Sequence, residues 1–138
     1  MRHPFDKKFI TARFGATANR PNAHRGLDYA VKKNTWIPAA APGQVVLNVW
    51  SDVLGWVVVQ TAWDVINKKI VYFGYSHLKR KSPHAVGSRL RESQGVGIQG
   101  NTGSASRGDH LHLTVSETIR GVFFGKVFDP EQFIDERI

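Results

Sequence analysis

Apolar residues in this chain come in short runs, each closed by turn formers, and that punctuation limits what it can fold into. Gly43 to Trp50, Trp56 to Ala62, Ile70 to Leu78 and His110 to Val115 are rich in β-branched and aromatic residues and read as strands. Pro38, Pro42-Gly43, Gly55, Pro83, Gly87 and the glycines between 95 and 108 break the chain between them. No strand-helix alternation exists, which argues against a doubly wound parallel sheet. The one helix signal is terminal, with Asp129 as N-cap, Pro130 as first residue and Glu131 to Glu136 as a short body. The expected fold is mainly β (a β-rich α+β domain), with antiparallel sheets forming a groove, long loops and a short C-terminal helix. With 138 residues and no repeat, linker or low-complexity segment, residues 1–138 are expected to form a single domain with a true core.

Composition narrows the function classes. The chain has no cysteine, which removes disulfides and a Cys-rich structural zinc site. No apolar run approaches the roughly 20 residues of a membrane span. The opening Met-Arg-His-Pro-Phe-Asp-Lys-Lys lacks the apolar segment of a secretory signal. The formal net charge of +8 favours polyanionic partners: nucleic acid, anionic membranes, or the teichoic acids and carboxylates of bacterial walls. The basic residues are scattered in small groups such as Lys32-Lys33, Lys68-Lys69 and Lys79-Arg80-Lys81, each of which also reads as ordinary solvated surface.

The chemistry is concentrated in histidines. In a strand, residues two apart share a face, so His110 and His112 would stand together, about 6–7 Å apart at Cα, with Leu111, Leu113 and Val115 turned into the core. His24 and Asp28 are spaced to share a helix or strand face, although Gly26 between them favours a turn or bulge. His77 ends an apolar strand as Tyr75-Ser76-His77-Leu78. Taken one at a time, each also reads as a surface or hydrogen-bonded structural residue. Together they offer imidazole and carboxylate, the donor types that hold a hydrolytic zinc through three protein ligands and leave one position open.

His24-Arg25-Gly26-Leu27-Asp28-Tyr29-Ala30, Tyr75-Ser76-His77-Leu78, Gly100-Asn101-Thr102-Gly103 and His110-Leu111-His112-Leu113 occur in that order, and the pattern resembles the successive motifs of the lysostaphin-type (LytM-like) zinc endopeptidases. Phe14-Gly15, Ala39 to Val45 and Asp129-Pro130 are similar to the same frame, so the resemblance covers almost the whole chain. It implies one Zn2+ per chain, with His24, Asp28 and His112 as ligands and the fourth position left for water, and with His77 and His110 as non-ligand catalytic residues. On that reading His110 moves the proton from water to the leaving amine, and His77 donates a hydrogen bond to the oxyanion. The implied substrate is a peptide of bacterial peptidoglycan, in the stem or cross-bridge. Asn101, Thr102 and Tyr75 are candidate substrate-binding residues. One departure is that Leu113-Thr114 follow the paired histidines where relatives often carry Phe-Glu, so any support that the acid gives a ligand must come from elsewhere. A second is the irregular, basic segment from Trp63 to Lys69, either a hairpin loop or a wall of the groove.

Other readings are weaker. Gly95 to Gly100 spells G-x-G-x-x-G, but Asn101 to Ser106 is turn-forming where a dinucleotide site needs a helix. A tight strand and turn allowing close backbone approach fits better. A non-catalytic wall- or polyanion-binding module would leave five intact site residues without use. A nucleic-acid binder would lean on the four tryptophans, yet Trp36, Trp50, Trp56 and Trp63 lie in or beside strands, where core or rim packing is expected. His3 and His84 match no motif and are assigned to the surface. The expected setting is a monomer with no nucleic-acid partner and no membrane span. It would act at the bacterial wall, either as a phage lysin made in host cytoplasm and released, or as part of a secreted protein.

Overall fold

A computed structural model describes residues 1–134. Among them nine strands run in chain order: β1 (Ile10–Ala12), β2 (Leu27–Tyr29), β3 (Trp36–Pro38), β4 (Gly43–Ser51), β5 (Gly55–Asp64), β6 (Lys69–Leu78), β7 (Arg89–Leu90), β8 (Gly95–Ile98) and β9 (Leu111–Ser116). Seven of them form one antiparallel sheet in the order β1-β2-β9-β6-β5-β4-β7, and β3 and β8 pair antiparallel as a small second sheet. The mainly β, antiparallel expectation therefore holds. The four long runs became β4, β5, β6 and β9 within one or two residues, whereas β1, β2, β3, β7 and β8 are too short to carry a periodicity that a sequence can display.

At the C-terminal end, Asp129 caps a turn as expected, its carboxylate accepting from Glu131 N at 3.0 Å, and Pro130 opens it. The chain then makes a single 3-10 turn, Pro130–Gln132, in place of the start of an α-helix. The rest of the expected helix body, 135–136, lies outside the described residues.

The two faces of the large sheet are unequal. Leu27, Tyr29, Val45, Val58, Phe73, Tyr75, Leu111, Leu113 and Val115 are fully buried in the main core, which also takes in Ile37 of β3 and Val96 of β8 from the small sheet. On the opposite face Val57, Val59 and Val122 make a minor cluster with Leu54 and Phe123 around it. The alternation along β9 is the one read from sequence: Leu111, Leu113 and Val115 turn to the core and His112 to the other side. Fully buried side chains of this size contribute about 1.5–3 kcal/mol each, which fixes the register of the central strands.

Tyr75, one of the candidate substrate contacts, lies wholly inside that core. Its hydroxyl donates to Gln60 Oε1 at 2.5 Å and accepts from Ala40 N at 3.0 Å, and Gln60 in turn donates to Ala41 O at 2.9 Å. This buried polar link ties β5 and β6 to the segment before β4. The tryptophans lie at the rim: Trp36, Trp50 and Trp63 are about half exposed (49%, 48% and 53%), and Trp50 packs edge-on against Trp56, which rests on the core. His3 and His84 are half-buried, His3 Nδ1 lying 2.6 Å from the Tyr29 hydroxyl and His84 Nε2 2.7 Å from Gly95 O. No helix among the described residues is long and apolar enough to cross a membrane. Tyr75→Phe should leave Ala40 N–H and Gln60 Oε1 unpaired in the core and cost about 1–3 kcal/mol, read as a lower urea midpoint.

Candidate metal and catalytic site

The site lies where β2, β9 and β6 run side by side. Asp28 pairs with His112 across β2 and β9, and His112 pairs with Ser76 across β9 and β6, so one row of the sheet carries a candidate ligand on each of two neighbouring strands. His24 enters from the loop before β2, whose path is fixed by His24 N–H bonding Ala16 O at 2.9 Å and Gly15 N–H bonding His24 O at 2.8 Å. Gly26 is needed for close approach, not for an unusual φ. A Cβ there would come within 2.4 Å of Leu113 O and 2.8 Å of the His112 ring.

His24 Nε2, Asp28 Oδ1 and His112 Nδ1 form a triangle with sides of 3.1, 2.8 and 3.2 Å. Donors sharing a tetrahedral zinc at about 2.0–2.1 Å lie roughly 3.3 Å apart, so this triangle, slightly contracted, suits one. The proton inventory points the same way. His24 Nδ1 donates to Arg13 O at 3.0 Å, so the neutral ring presents a bare Nε2 lone pair. Asp28 Oδ1 can only accept. Their 3.1 Å contact therefore lacks a proton unless His24 is charged, and a divalent cation between them removes the conflict. All three residues lie within reach of one ion, and they are the group of this kind found among the described residues.

Electrostatics suit the same use. Burial pushes the Asp28 carboxyl up, but contacts with His112 and His24 outweigh it and hold the group well below the usual carboxylate range. Burial pushes the His112 imidazole down, against the pull of Asp28. The His112 ring thus favours the neutral, ligating form and the carboxyl the ionised one. The free oxygen, Asp28 Oδ2, lies 3.7 Å from Arg20 Nη2 and 3.9 Å from His110 Nε2. Arg20 carries no motif, and nothing in the sequence places it beside Asp28.

His77 reaches the site through a break in the strand pattern. Between the pairs Val58↔Tyr75 and Trp56↔Leu78, β6 has one residue more than β5, a bulge, and His77 sits there at φ +63°. Strict alternation after Tyr75 would send His77 into the core. The left-handed turn places it instead beside His110, ring centroids 4.8 Å apart, and lets Leu78 take the buried position. A non-glycine residue in this region costs on the order of 1–3 kcal/mol, which the contacts around it must offset. His77 is held by Leu54 O, which accepts its backbone N–H at 2.7 Å, and by Thr102 O, which accepts from Nδ1 at 2.7 Å. Burial pushes the His77 ring down to about 4, despite the Thr102 carbonyl acting the other way, so near neutral pH it is uncharged.

His110 immediately precedes β9 and is bridged to Gly100. Its Nδ1 donates to Gly108 O at 2.9 Å, with Ser106 Oγ 3.3 Å away. Both auxiliary histidines thus spend Nδ1–H on a main-chain carbonyl, which leaves Nε2 of the neutral ring without a proton. An oxyanion-donor role for His77 therefore requires a proton to reach its Nε2 first.

Thr102 and Asn101 serve this scaffold. Thr102 Oγ1 donates to Leu78 O at 2.6 Å and accepts from Trp56 N at 3.2 Å, clamping the loop against β5 and β6 at the bulge. Asn101 Oδ1 accepts from Gly108 N at 2.8 Å and Ser106 Oγ at 2.5 Å, shaping the loop that carries His110. Gly100 belongs to the same packing, since a Cβ there would lie 2.3 Å from Lys79 N. Thr114, at the position of the acid often found in relatives, is buried with no hydroxyl partner among the described residues, and the visible ligand support is the Arg13 carbonyl behind His24.

Comparison with known proteins agrees with this geometry. The family model described as Peptidase family M23 matches residues 22–129, from just before His24 to Asp129. The chain is 30% identical over 118 residues to the peptidoglycan DD-endopeptidase ShyC of Vibrio cholerae, covering 81% of this chain but only 25% of ShyC, so it spans about a quarter of that relative. The catalytic domain of the prophage-encoded M23 protein EnpA from Enterococcus faecalis, in a single-substitution form, superposes with a TM-score of 0.77 at 26% identity, covering 94% of this chain and 95% of EnpA's. The catalytic domain of lysostaphin from Staphylococcus simulans shares the fold, with a TM-score of 0.74 at 23% identity over 90% of each chain. With its matching segment spanning His24, Asp28, His77, His110 and His112, this chain belongs to peptidase family M23.

Proposed function

We propose that this chain is a zinc-dependent endopeptidase that hydrolyses peptide bonds of bacterial peptidoglycan, in the stem peptide or the cross-bridge. The observation that carries this reading is the His24–Asp28–His112 triangle, with a contact short of a proton and two further imidazoles beside it. The name of ShyC supports the wall as the place of action, and EnpA's prophage origin is compatible with a phage lysin working after release from its host.

Zinc, when bound by His24, Asp28 and His112, supplies a Lewis acid that polarises the scissile carbonyl and makes water a stronger acid. The remaining steps fall to the chain. His110 Nε2, without a proton in the neutral ring and facing Asp28 Oδ2 at 3.9 Å, accepts the proton of the attacking water and passes it to the leaving amine. His77 offers a second acceptor 4.8 Å away between ring centres; once protonated at Nε2 it becomes a donor to the developing oxyanion. Fixed carbonyls behind both rings keep their orientation through the proton transfers. Asp28 remains ionised throughout, held so by its histidine neighbours. The protein is taken to work as a monomer, and its charge of +8 to concentrate it on an anionic wall.

Elemental analysis should find about one zinc per chain, retained in His77→Ala and His110→Ala and lost in Asp28→Ala, while peptide release from purified walls, followed by mass spectrometry, disappears in all three. Loss of metal from His77→Ala or His110→Ala would mean that ligand and catalyst have been interchanged. Thr102→Val, which removes both Oγ1 bonds at the bulge, should lower kcat about tenfold or more with zinc content unchanged, and Thr102→Ser should restore it. Raising salt from low to about 0.5 M should slow digestion of intact walls and spare that of a small uncharged peptide, because screening acts on the long-range attraction.

A further inference from the structure

The β5–β6 hairpin projects beyond the sheet that holds it. Pairing of β4 with β5 stops at Val45↔Gln60, and pairing of β9 with β6 stops at Tyr72↔Ser116. β5 and β6 continue alone through Ala62↔Val71, Trp63↔Ile70 and Asp64↔Lys69. This overhang is apolar where solvent would favour polar residues. Val65 is 74% exposed and Ile66 83%, and behind them the cross-strand pair Trp63 and Ile70 is 53% and 43% exposed. Lys68 and Lys69 come directly after the tip, and the Lys69 ammonium stands over the Phe128 ring at 5.5 Å; Lys126, on the same ring at 5.2 Å, is paired with Glu117 at 3.8 Å. His77 lies eight residues from Lys69 along β6, about 26 Å by strand rise. The segment is therefore a hairpin at the far end of the sheet from the site and no wall of the groove.

The turn is preorganised. The Asp64 carboxylate accepts from Ile66 N at 3.1 Å, from Asn67 N at 3.3 Å and from Asn67 Nδ2 at 2.8 Å, so two backbone N–H groups and a side-chain amide of the tip are satisfied within it. Internal satisfaction lowers the cost of taking backbone out of water, and a tip already fixed loses little entropy on docking. An apolar tip with an adjoining tryptophan and a collar of lysines is the composition that partitions into the interface of an anionic bilayer, with side chains in the acyl boundary and ammonium groups at the phosphates.

We propose that the Trp63–Ile70 hairpin docks this protein on anionic lipid, with the catalytic end of the sheet pointing away from the membrane. The proposal goes beyond the peptidase reading and does not require it. The test is co-sedimentation of the intact protein with vesicles of equal parts phosphatidylglycerol and phosphatidylcholine, and with phosphatidylcholine alone. The expected result is binding to the anionic vesicles only. Val65→Ser/Ile66→Ser should weaken it about tenfold or more, with an unchanged melting temperature and unchanged cleavage of a soluble wall peptide. Wild-type failure to bind the anionic vesicles would overturn the proposal. So would equal binding by the double variant, which would leave net charge alone as the cause. A dimer abolished by Val65→Ser/Ile66→Ser in the absence of lipid binding would overturn it in favour of self-association. Because sedimentation needs no catalysis, an inactive enzyme that still binds would refute the peptidase reading and leave this one standing.

Discussion

The register of three strands decides whether this molecule has a site. Asp28, His112 and Ser76 lie in one row across β2, β9 and β6, and the apolar neighbours of that row, Leu27, Leu113 and Tyr75, are fully buried on the other face. Slipping β9 by one residue would bury the imidazole of His112 and expose Leu113. Burial of the core face therefore places the ligand face, and the cost of a mispaired core protects an arrangement of polar groups that by itself is unfavourable to assemble. The same logic operates at the bulge. Leu78 reaches the core only because β6 gains one residue there, and that residue is His77. The strain of its left-handed backbone is offset by a buried leucine on one side and hydrogen bonds to the carbonyls of Leu54 and Thr102 on the other.

Much of this is legible in the sequence, unevenly so. The long strands can be read because β-branched and aromatic residues fill them, and the faces of His112 and Leu111 follow from a period of two. Short strands such as β2 cannot, since the three residues Leu27-Asp28-Tyr29 are too few to establish a period. Residues of the site are recognisable as an ordered set of motifs and cannot be assembled from spacing alone. The bulge at His77 leaves no local signal, because nothing in Tyr75-Ser76-His77-Leu78 announces a positive φ. Gly26 reads in sequence as the mark of a turn, whereas the reason for it is the Leu113 carbonyl and the His112 ring, which leave no room for a side chain.

Substrate contacts cannot be read from sequence in the same way, for a physical reason. Polar side chains in a loop beside a site can face a ligand or hold the loop, and sequence does not distinguish the two. Here Asn101 and Thr102 have their oxygens committed to the protein, and Tyr75 is enclosed by Gln60 and Ala40. The far hairpin shows the converse. In sequence Val65 and Ile66 are an ordinary part of an irregular basic segment, and only the ends of the neighbouring strands show that they stand clear of any packing.

Three of the four imidazoles of the site are oriented through a second nitrogen that meets a main-chain carbonyl, from Arg13, Thr102 and Gly108. A peptide oxygen is present whatever residue occupies the position. Amino-acid identity at 13 is thereby decoupled from the alignment of the His24 ring, and that support can drift through many residues as long as the path of the chain is kept, whereas Gly108, at φ +139°, is held to glycine by its backbone. Single-residue replacement at 13 would pass over that support in silence, although moving either loop by one residue would dismantle the centre.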